Sequence, residues 1–225
     1  MKKYLSELIG TFALVFCGTG AIIINDVTGG QIGNIGIAIT FGLIVMAMIY
    51  AFGDISGAHL NPAVTIAFYF SGRFSGKEVL PYMLSQLAGA LMASLVLKVM
   101  FPASLTLGTT IPVGDPWVSF WLEIILAFIL MLVIIQVTTS RDANKGFAGL
   151  IIGGVILLEA AFAGPVSGAS MNPFRSLAPA LMSGQTQFIW IYLAAPVLGA
   201  IASIFVCVLT REQACCPDSV ICKIK

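Results

Sequence analysis

Charged residues are scarce in this sequence, and their scarcity excludes a soluble globular fold. Only 9% of the 225 residues are charged, whereas 59% are hydrophobic, and the mean hydropathy is +1.02. A soluble domain carries roughly 25% charged residues. Disorder is excluded as well, because it requires low hydrophobicity and high net charge. The composition therefore indicates a protein that lies in a membrane.

The residues that catalysis, metal binding and nucleic-acid binding require are also few. The chain has one His and a formal net charge of +1, so it offers no basic excess for nucleic acid. Its five Cys lack the paired spacing of a zinc site. We find no nucleophile–base set and no Gly-rich phosphate loop. We expect no enzymatic activity, no cofactor, no bound metal and no nucleic-acid partner.

Long apolar runs predict an all-α membrane protein. A membrane-spanning helix needs about 20 mostly apolar residues. Six runs of this kind occur, at residues 4–25, 33–53, 77–100, 116–138, 146–164 and 187–210. The first run imitates a cleavable signal peptide. We expect it to be retained, because its Glu7 segment has an internal copy around Glu123.

Two shorter apolar segments follow Asn-Pro pairs, at residues 61–71 and 172–183. At about 1.5 Å per residue each is half the length of a span. Such segments re-enter the membrane, where protein or a water-filled cavity must surround them. The predicted fold is therefore six transmembrane helices plus two re-entrant half-helices.

An internal repeat relates the two halves of the chain. Residues 55–63, ISGAHLNPA, match residues 166–174, VSGASMNPF. Each half holds three spans, an odd number, so the halves form inverted three-helix repeats with a site at their interface. We expect a single transmembrane channel domain over 1–225, with repeat 1 at about 4–100, repeat 2 at about 116–210 and a cytoplasmic tail at 211–225.

The positive charges predict the orientation in the membrane. If the six spans alternate, most Lys and Arg residues fall on one side, which the positive-inside rule makes cytoplasmic. These residues are Lys2, Lys3, Arg73, Lys77, Arg141, Lys145, Arg211, Lys223 and Lys225. We therefore expect a multi-pass protein of the plasma membrane with both termini in the cytoplasm. Cys215, Cys216 and Cys222 would then lie in a reducing compartment, where disulfides are not expected.

The repeated motif predicts a mechanism. Asn is a good N-cap and Pro fits the first helical turn, so each Asn-Pro pair begins a half-helix at mid-membrane. Two inverted copies aim two positive helix N-termini at one point. Such a centre admits neutral molecules and repels protons and other cations. The predicted central motif is Asn61, Pro62, Ala63, Asn172, Pro173 and Phe174, with the two Asn amides left as donors to the passing oxygen.

The segments SGAHLNPAV (56–64) and SGASMNPFRS (167–176), with a Glu opening the first and fourth spans, resemble the major intrinsic proteins. This family comprises aquaporins and glycerol facilitators, and the resemblance extends from about residue 4 to 210. It implies a homotetramer in membrane lipid in which each protomer has its own pore. It also implies an outer filter of four side chains beyond the Asn pair.

Carried over by distance from the motifs, the filter is Phe41, Ala160, Ala169 and Arg175. Water-selective members usually have a His where this chain has Ala160, so the resemblance implies a wider and less polar gap. The sequence of the two motif segments is similar to that of the nodulin-like branch of the family, whose members often pass glycerol or metalloid hydroxides. The resemblance also implies that Glu7 and Glu123 hold the descending loops. His59 either packs in its loop or lines the cytoplasmic vestibule.

Three residues depart from the family pattern. Phe174 replaces the usual Ala of the second motif, and its ring either narrows the centre or packs against neighbouring helices. Asp54 stands where the family often has His, where it could accept hydrogen bonds from the loop. Glu159 adjoins the filter position, and a carboxyl group deep in a span is a functional candidate. Its alternative is to bond a neighbouring loop, away from the lumen.

The predicted function is a passive channel for water and small uncharged solutes that excludes protons and ions. A secondary transporter also suits inverted repeats, but only Glu159 offers an ionisable group for coupling. A closed, structural membrane protein is the other alternative, and Phe174 is the feature that favours it. Gly10, Gly89 and Gly199 lie in spans where close helix contact is expected.

Overall fold

A computed structural model describes residues 1–139 and 146–210, and every regular element in these ranges is helical. The helices are α1 (Lys2–Val27), α2 (Gly33–Ser56), α3 (Pro62–Phe70), α4 (Gly76–Met100), α5 (Pro116–Thr139), α6 (Ala148–Ser167), α7 (Pro173–Ser183) and α8 (Ile189–Thr210). Within the described residues, six helices are long and apolar enough to cross a membrane. The predicted fold class is therefore confirmed.

The two short helices begin where the Asn-Pro pairs predict. Asn61 is the N-cap of α3, which has 9 residues, and Asn172 is the N-cap of α7, which has 11 residues. In each helix the Pro takes the first position, where its missing N–H costs nothing. α6 continues through Pro165 to Ser167, three residues beyond the predicted end of this span at residue 164.

Equivalent helices of the two halves pack in equivalent ways. α1 lies against α4 as α5 lies against α8, and α2 meets α6 between the halves. Glycine permits the closest approaches: a Cβ at Gly89 would lie 2.2 Å from the Leu8 carbonyl oxygen, and one at Gly199 would lie 2.1 Å from the Ile124 oxygen. The expected close helix contact at these two glycines is confirmed. At Gly10 the neighbour is instead the Leu60 side chain.

Several polar and ionisable side chains are buried inside the protein, and many large apolar side chains lie on its outside. Fully buried residues include Glu7, Gln86, Glu123 and Glu159, whereas many large apolar side chains are exposed. Trp117, Phe120 and Trp190 form one aromatic cluster. The burial pattern fits lipid outside and a polar site between the halves. Arg141, Lys145 and residues 211–225, which carry part of the predicted orientation and the Cys-bearing tail, lie outside the described residues.

Candidate functional site

Two loops descend into the interior with the same backbone pattern. After α2, positive φ angles occur at Gly57 (85°), Ala58 (46°) and Leu60 (51°). The loop after α6 repeats them at Gly168 (82°), Ala169 (40°) and Met171 (53°). The left-handed region costs about 1–3 kcal/mol for a residue with a side chain, so it persists only where the surroundings enforce it.

Glu7 of α1 provides that enforcement in the first loop. Its Oε1 accepts hydrogen bonds from Ser56 Oγ (2.8 Å) and the His59 N–H (2.9 Å), and its Oε2 accepts from the Leu60 N–H and Gln86 Nε2, both at 2.8 Å. A buried carboxylate needs such partners. The Glu7 carboxylate therefore holds the first loop in its left-handed backbone conformation.

Glu123 of α5 holds the second loop. Its Oε1 accepts from Ser167 Oγ and the Ser170 N–H, and its Oε2 accepts from the Met171 N–H, each at 2.8 Å. Among the described residues no side-chain amide corresponds to Gln86 here. The second carboxylate therefore depends on three donors, where the first has four.

Two tyrosines that our sequence reasoning did not assign to the site also support the loops. Tyr82 donates its hydroxyl to the Ser56 carbonyl at 2.9 Å, and Tyr192 donates to the Ser167 carbonyl at 2.7 Å. They satisfy the carbonyl at the end of α2 and at the end of α6, where the helical ladder leaves it without a partner. Extending the internal repeat into the last span of each half would have paired these two tyrosines.

The tips of the two loops are joined reciprocally. Asn61 Nδ2 donates to the Met171 carbonyl, and Asn172 Nδ2 donates to the Leu60 carbonyl, both at 2.8 Å. We expected both amides to be free for a passing molecule. Each amide instead donates one N–H to the opposite loop. Its second N–H remains for a passing molecule, since a side-chain amide nitrogen has two.

The same asparagines cap the two half-helices. Asn61 Oδ1 accepts the Ala63 N–H at 2.9 Å. Asn172 Oδ1 accepts the N–H groups of Phe174 (3.1 Å) and Arg175 (3.3 Å). The N-termini of α3 and α7 therefore meet at the loop tips. Each terminus carries roughly half a positive charge, so the meeting point repels cations.

Arg175 follows directly in the first turn of α7. Its side chain is only 2% exposed. Nη1 donates to the Gly108 carbonyl at 3.2 Å, and Cζ lies 4.9 Å from the centre of the Phe41 ring. Among the described residues Nε has no hydrogen-bond partner. The guanidinium is always charged, so it adds a second positive element beyond the asparagines.

A cavity of about 480 Å³ connects these features. It touches both motif asparagines and all four predicted filter residues, which are Asn61, Asn172, Phe41, Ala160, Ala169 and Arg175. The other residues of the central motif, Pro62, Ala63, Pro173 and Phe174, are buried and do not line it. Phe174 packs in the hydrophobic core. Its ring therefore does not narrow this cavity.

The remaining candidate residues occupy different surroundings. His59 lines the cavity, contacts Thr65 Oγ1 through Nδ1 at 3.1 Å and packs on Phe68. Asp54 is an exposed residue of α2 at the cavity, and within the described chain it makes no hydrogen bond to the loop, because Glu7 takes those donors. Glu159 is buried away from the cavity, and in the described residues neither carboxyl oxygen has a partner.

The expected bond between Glu159 and a neighbouring loop is therefore absent from the described residues. Glu159 does lie away from the cavity, as that alternative requires. Its lack of a hydrogen-bond partner among the described residues disagrees with it. In the nearby second loop, the Ser167 hydroxyl and the N–H groups of Ser170 and Met171 donate to Glu123 instead. No chemical role follows for Glu159 from this geometry.

Comparison with known proteins agrees with the geometry. The sequence model of the family described as Major intrinsic protein matches residues 1–207. Aquaporin NIP1-1 of Zea mays is 49% identical over 203 residues, covering 90% of this chain and 72% of that protein. Putative aquaporin NIP4-1 of Arabidopsis thaliana is 47% identical, covering 93% and 75%.

The fold also matches a solved structure. The aquaglyceroporin from Plasmodium falciparum superposes with a TM-score of 0.82 at 25% sequence identity. The match covers 93% of this chain and 96% of that one. The likeness therefore extends over nearly all of both chains.

Proposed function

The chain belongs to the major intrinsic protein family, as a channel for water and small neutral solutes, and we propose that its conducting path passes Asn61 and Asn172. The observation that carries the proposal is the reciprocal pair of hydrogen bonds between the loop tips, at the cavity where two helix N-termini meet. A molecule at this point receives an N–H donor from each amide. It also meets a positive potential, which a neutral molecule tolerates and a cation does not.

The proposed outer filter is the set Phe41, Ala160, Ala169 and Arg175. Two of its four members are alanines that line the cavity, so the filter has little bulk on their side. Arg175 supplies donors to an oxygen-bearing solute and repels cations. We therefore propose passage of water together with solutes of the size of glycerol or a metalloid hydroxide.

Neither alternative function gains an observation in its favour. The candidate for an ion-coupling group was Glu159, and this residue does not line the cavity. A closed pore requires a blocking side chain, and Phe174 is packed in the core. The passive channel is thus the function with the most support.

The arrangement of the channel in the cell is part of the same proposal. We propose one channel domain per chain, assembled as a homotetramer in the plasma membrane with both termini in the cytoplasm. The large exposed apolar side chains, such as Trp121, Leu158 and Phe162, support a surface that lipid or other protomers cover. Cross-linking of the purified protein in mild detergent tests the tetramer, since a chain that stays monomeric contradicts it.

Osmotic shrinkage of proteoliposomes tests the function. The purified protein is expected to shrink vesicles faster than empty liposomes do, and to admit glycerol, urea or arsenite at a rate linear in concentration. A water rate equal to that of empty liposomes contradicts the channel. Water conduction with none of the three solutes contradicts only the wide filter. Saturating, gradient-dependent uptake would instead indicate a transporter.

A further inference from the structure

The ring of Phe41 rests against a residue that has no side chain. Gly18 of α1 faces this ring so closely that a Cβ atom there would lie 2.1 Å from Cε1 and 2.4 Å from Cζ. Non-bonded carbon atoms prefer about 3.5–4.0 Å. The present position of the ring is therefore possible only because residue 18 is Gly.

The ring is enclosed on its other side by the conducting path. Phe41 lines the cavity, and the guanidinium carbon of Arg175 lies 4.9 Å from the ring centre. The ring therefore stands between α1 and the cavity. Any group that fills the space behind it pushes it toward Arg175 and the lumen.

The helix that carries Gly18 has little room to yield instead. α1 packs against α4 through a backbone contact at Leu8 and Gly89. The adjacent Thr19 meets the loop that holds Arg175, since a Cβ at Gly108 would lie 2.9 Å from the Thr19 carbonyl oxygen. α1 is thus held at Leu8 and at Thr19, and close-packed interiors have low compressibility and transmit strain. The Phe41 ring borders the cavity, so it is the group with space to move.

We propose that Gly18 is a specificity-determining residue of the channel, because it sets how far the Phe41 ring withdraws from the conducting path. This inference rests on the proposed function of the filter and extends it to a residue outside the four. Gly18 touches no solute. It acts through Phe41, and a single methyl group at position 18 narrows the filter.

The test compares four variants with the parent in proteoliposomes: Gly18→Ala, Gly20→Ala, Phe41→Ala and the double variant Gly18→Ala with Phe41→Ala. Gly20 is the matched control, since its added Cβ would lie at an ordinary 3.4 Å from Leu97. Gly18→Ala is expected to lower the ratio of glycerol to water permeability about tenfold, the scale of steric discrimination in a pocket. Gly20→Ala should leave the ratio within about twofold.

The double variant shows whether the effect passes through the ring. Relative to Phe41→Ala alone, it should change the ratio by less than about twofold, because no ring is left to displace. An unchanged ratio in Gly18→Ala overturns the inference, and so does an equal fall in the Phe41→Ala background. If Gly18→Ala does not accumulate, the double variant must restore folding; its failure to do so also overturns the inference.

Melting temperatures separate this inference from the proposed function. Gly18→Ala should have a lower melting temperature than the parent. In the Phe41→Ala background, the same substitution should lower the melting temperature much less. Absence of this coupling overturns the inference whatever the parent conducts. A parent that passes water but no glycerol contradicts the wide filter. The parent, the two single variants and the double variant are then compared by their water permeability. A parent that passes no water contradicts the proposed function instead.

Discussion

The support of the second descending loop can be tested by the substitution Glu123→Gln. The Ser170 N–H and the Met171 N–H donate to different oxygens of this carboxylate, both at 2.8 Å. A Gln side chain offers one oxygen and turns its amide nitrogen toward the other donor. One buried N–H then loses its acceptor, and the remaining bonds lose their charge. Hydrogen bonds to charged groups contribute about 1.5–3 kcal/mol each.

The expected destabilisation is therefore about 2–3 kcal/mol. For a chain of this size, 1 kcal/mol corresponds to about 2–4 °C, so the melting temperature should fall by about 5–10 °C. Thermal unfolding of the detergent-solubilised protein, followed by tryptophan fluorescence, measures it. Water permeability should fall as well, because the Met171 carbonyl holds the Asn61 amide.

Glu159→Gln provides the matched control. It makes the same exchange of an oxygen for an amide nitrogen in a fully buried carboxyl group, but no donor in the described residues faces that group. The free energy of unfolding should change by less than about 1 kcal/mol, because no hydrogen bond is lost. Equal losses of stability in the two variants would refute the assignment of Glu123 as the anchor of the loop.

Three further substitutions test the filter and the loops. Arg175→Ala removes the buried cation and should raise leakage of protons or small cations, so proteoliposomes as ion-tight as those with the parent would contradict its role. Ala160→His fills the open side of the filter and should lower glycerol uptake more than water flow, and unchanged glycerol uptake would count against the wide gap. Tyr192→Phe leaves the Ser167 carbonyl without its partner and should cost about 1–3 kcal/mol in thermal unfolding, whereas an unchanged melting temperature would contradict that contact.

Local chemistry made the fold and the half-helices predictable. The six apolar runs and the capping preferences of Asn and Pro depend only on neighbouring residues, and α3 and α7 begin at Pro62 and Pro173. The reciprocal bonds of Asn61 and Asn172 join residues 110 and 112 positions apart. No local pattern contains that approach, which is why both amides were expected to be free.

Other features depended on packing that the sequence does not display. Asp54 was a second candidate to support the first loop because it is close in sequence, but the loop donors go to Glu7, 52 positions from His59, as the family resemblance implied. Gly18 resembles any small residue of a membrane span until the ring of Phe41 is placed against it. The two motif asparagines, Arg175 and the filter alanines were assigned to the site from the internal repeat and the family resemblance. Their roles in conduction stay predictions.

The central claim is that two half-helix N-termini let neutral molecules pass and keep cations out. Proton and water flux measured on the same proteoliposomes, under an imposed pH gradient and an osmotic gradient, test it directly. We predict water flow well above that of empty liposomes, with proton leakage equal to theirs. Proton flux that rises together with water flow would contradict the claim.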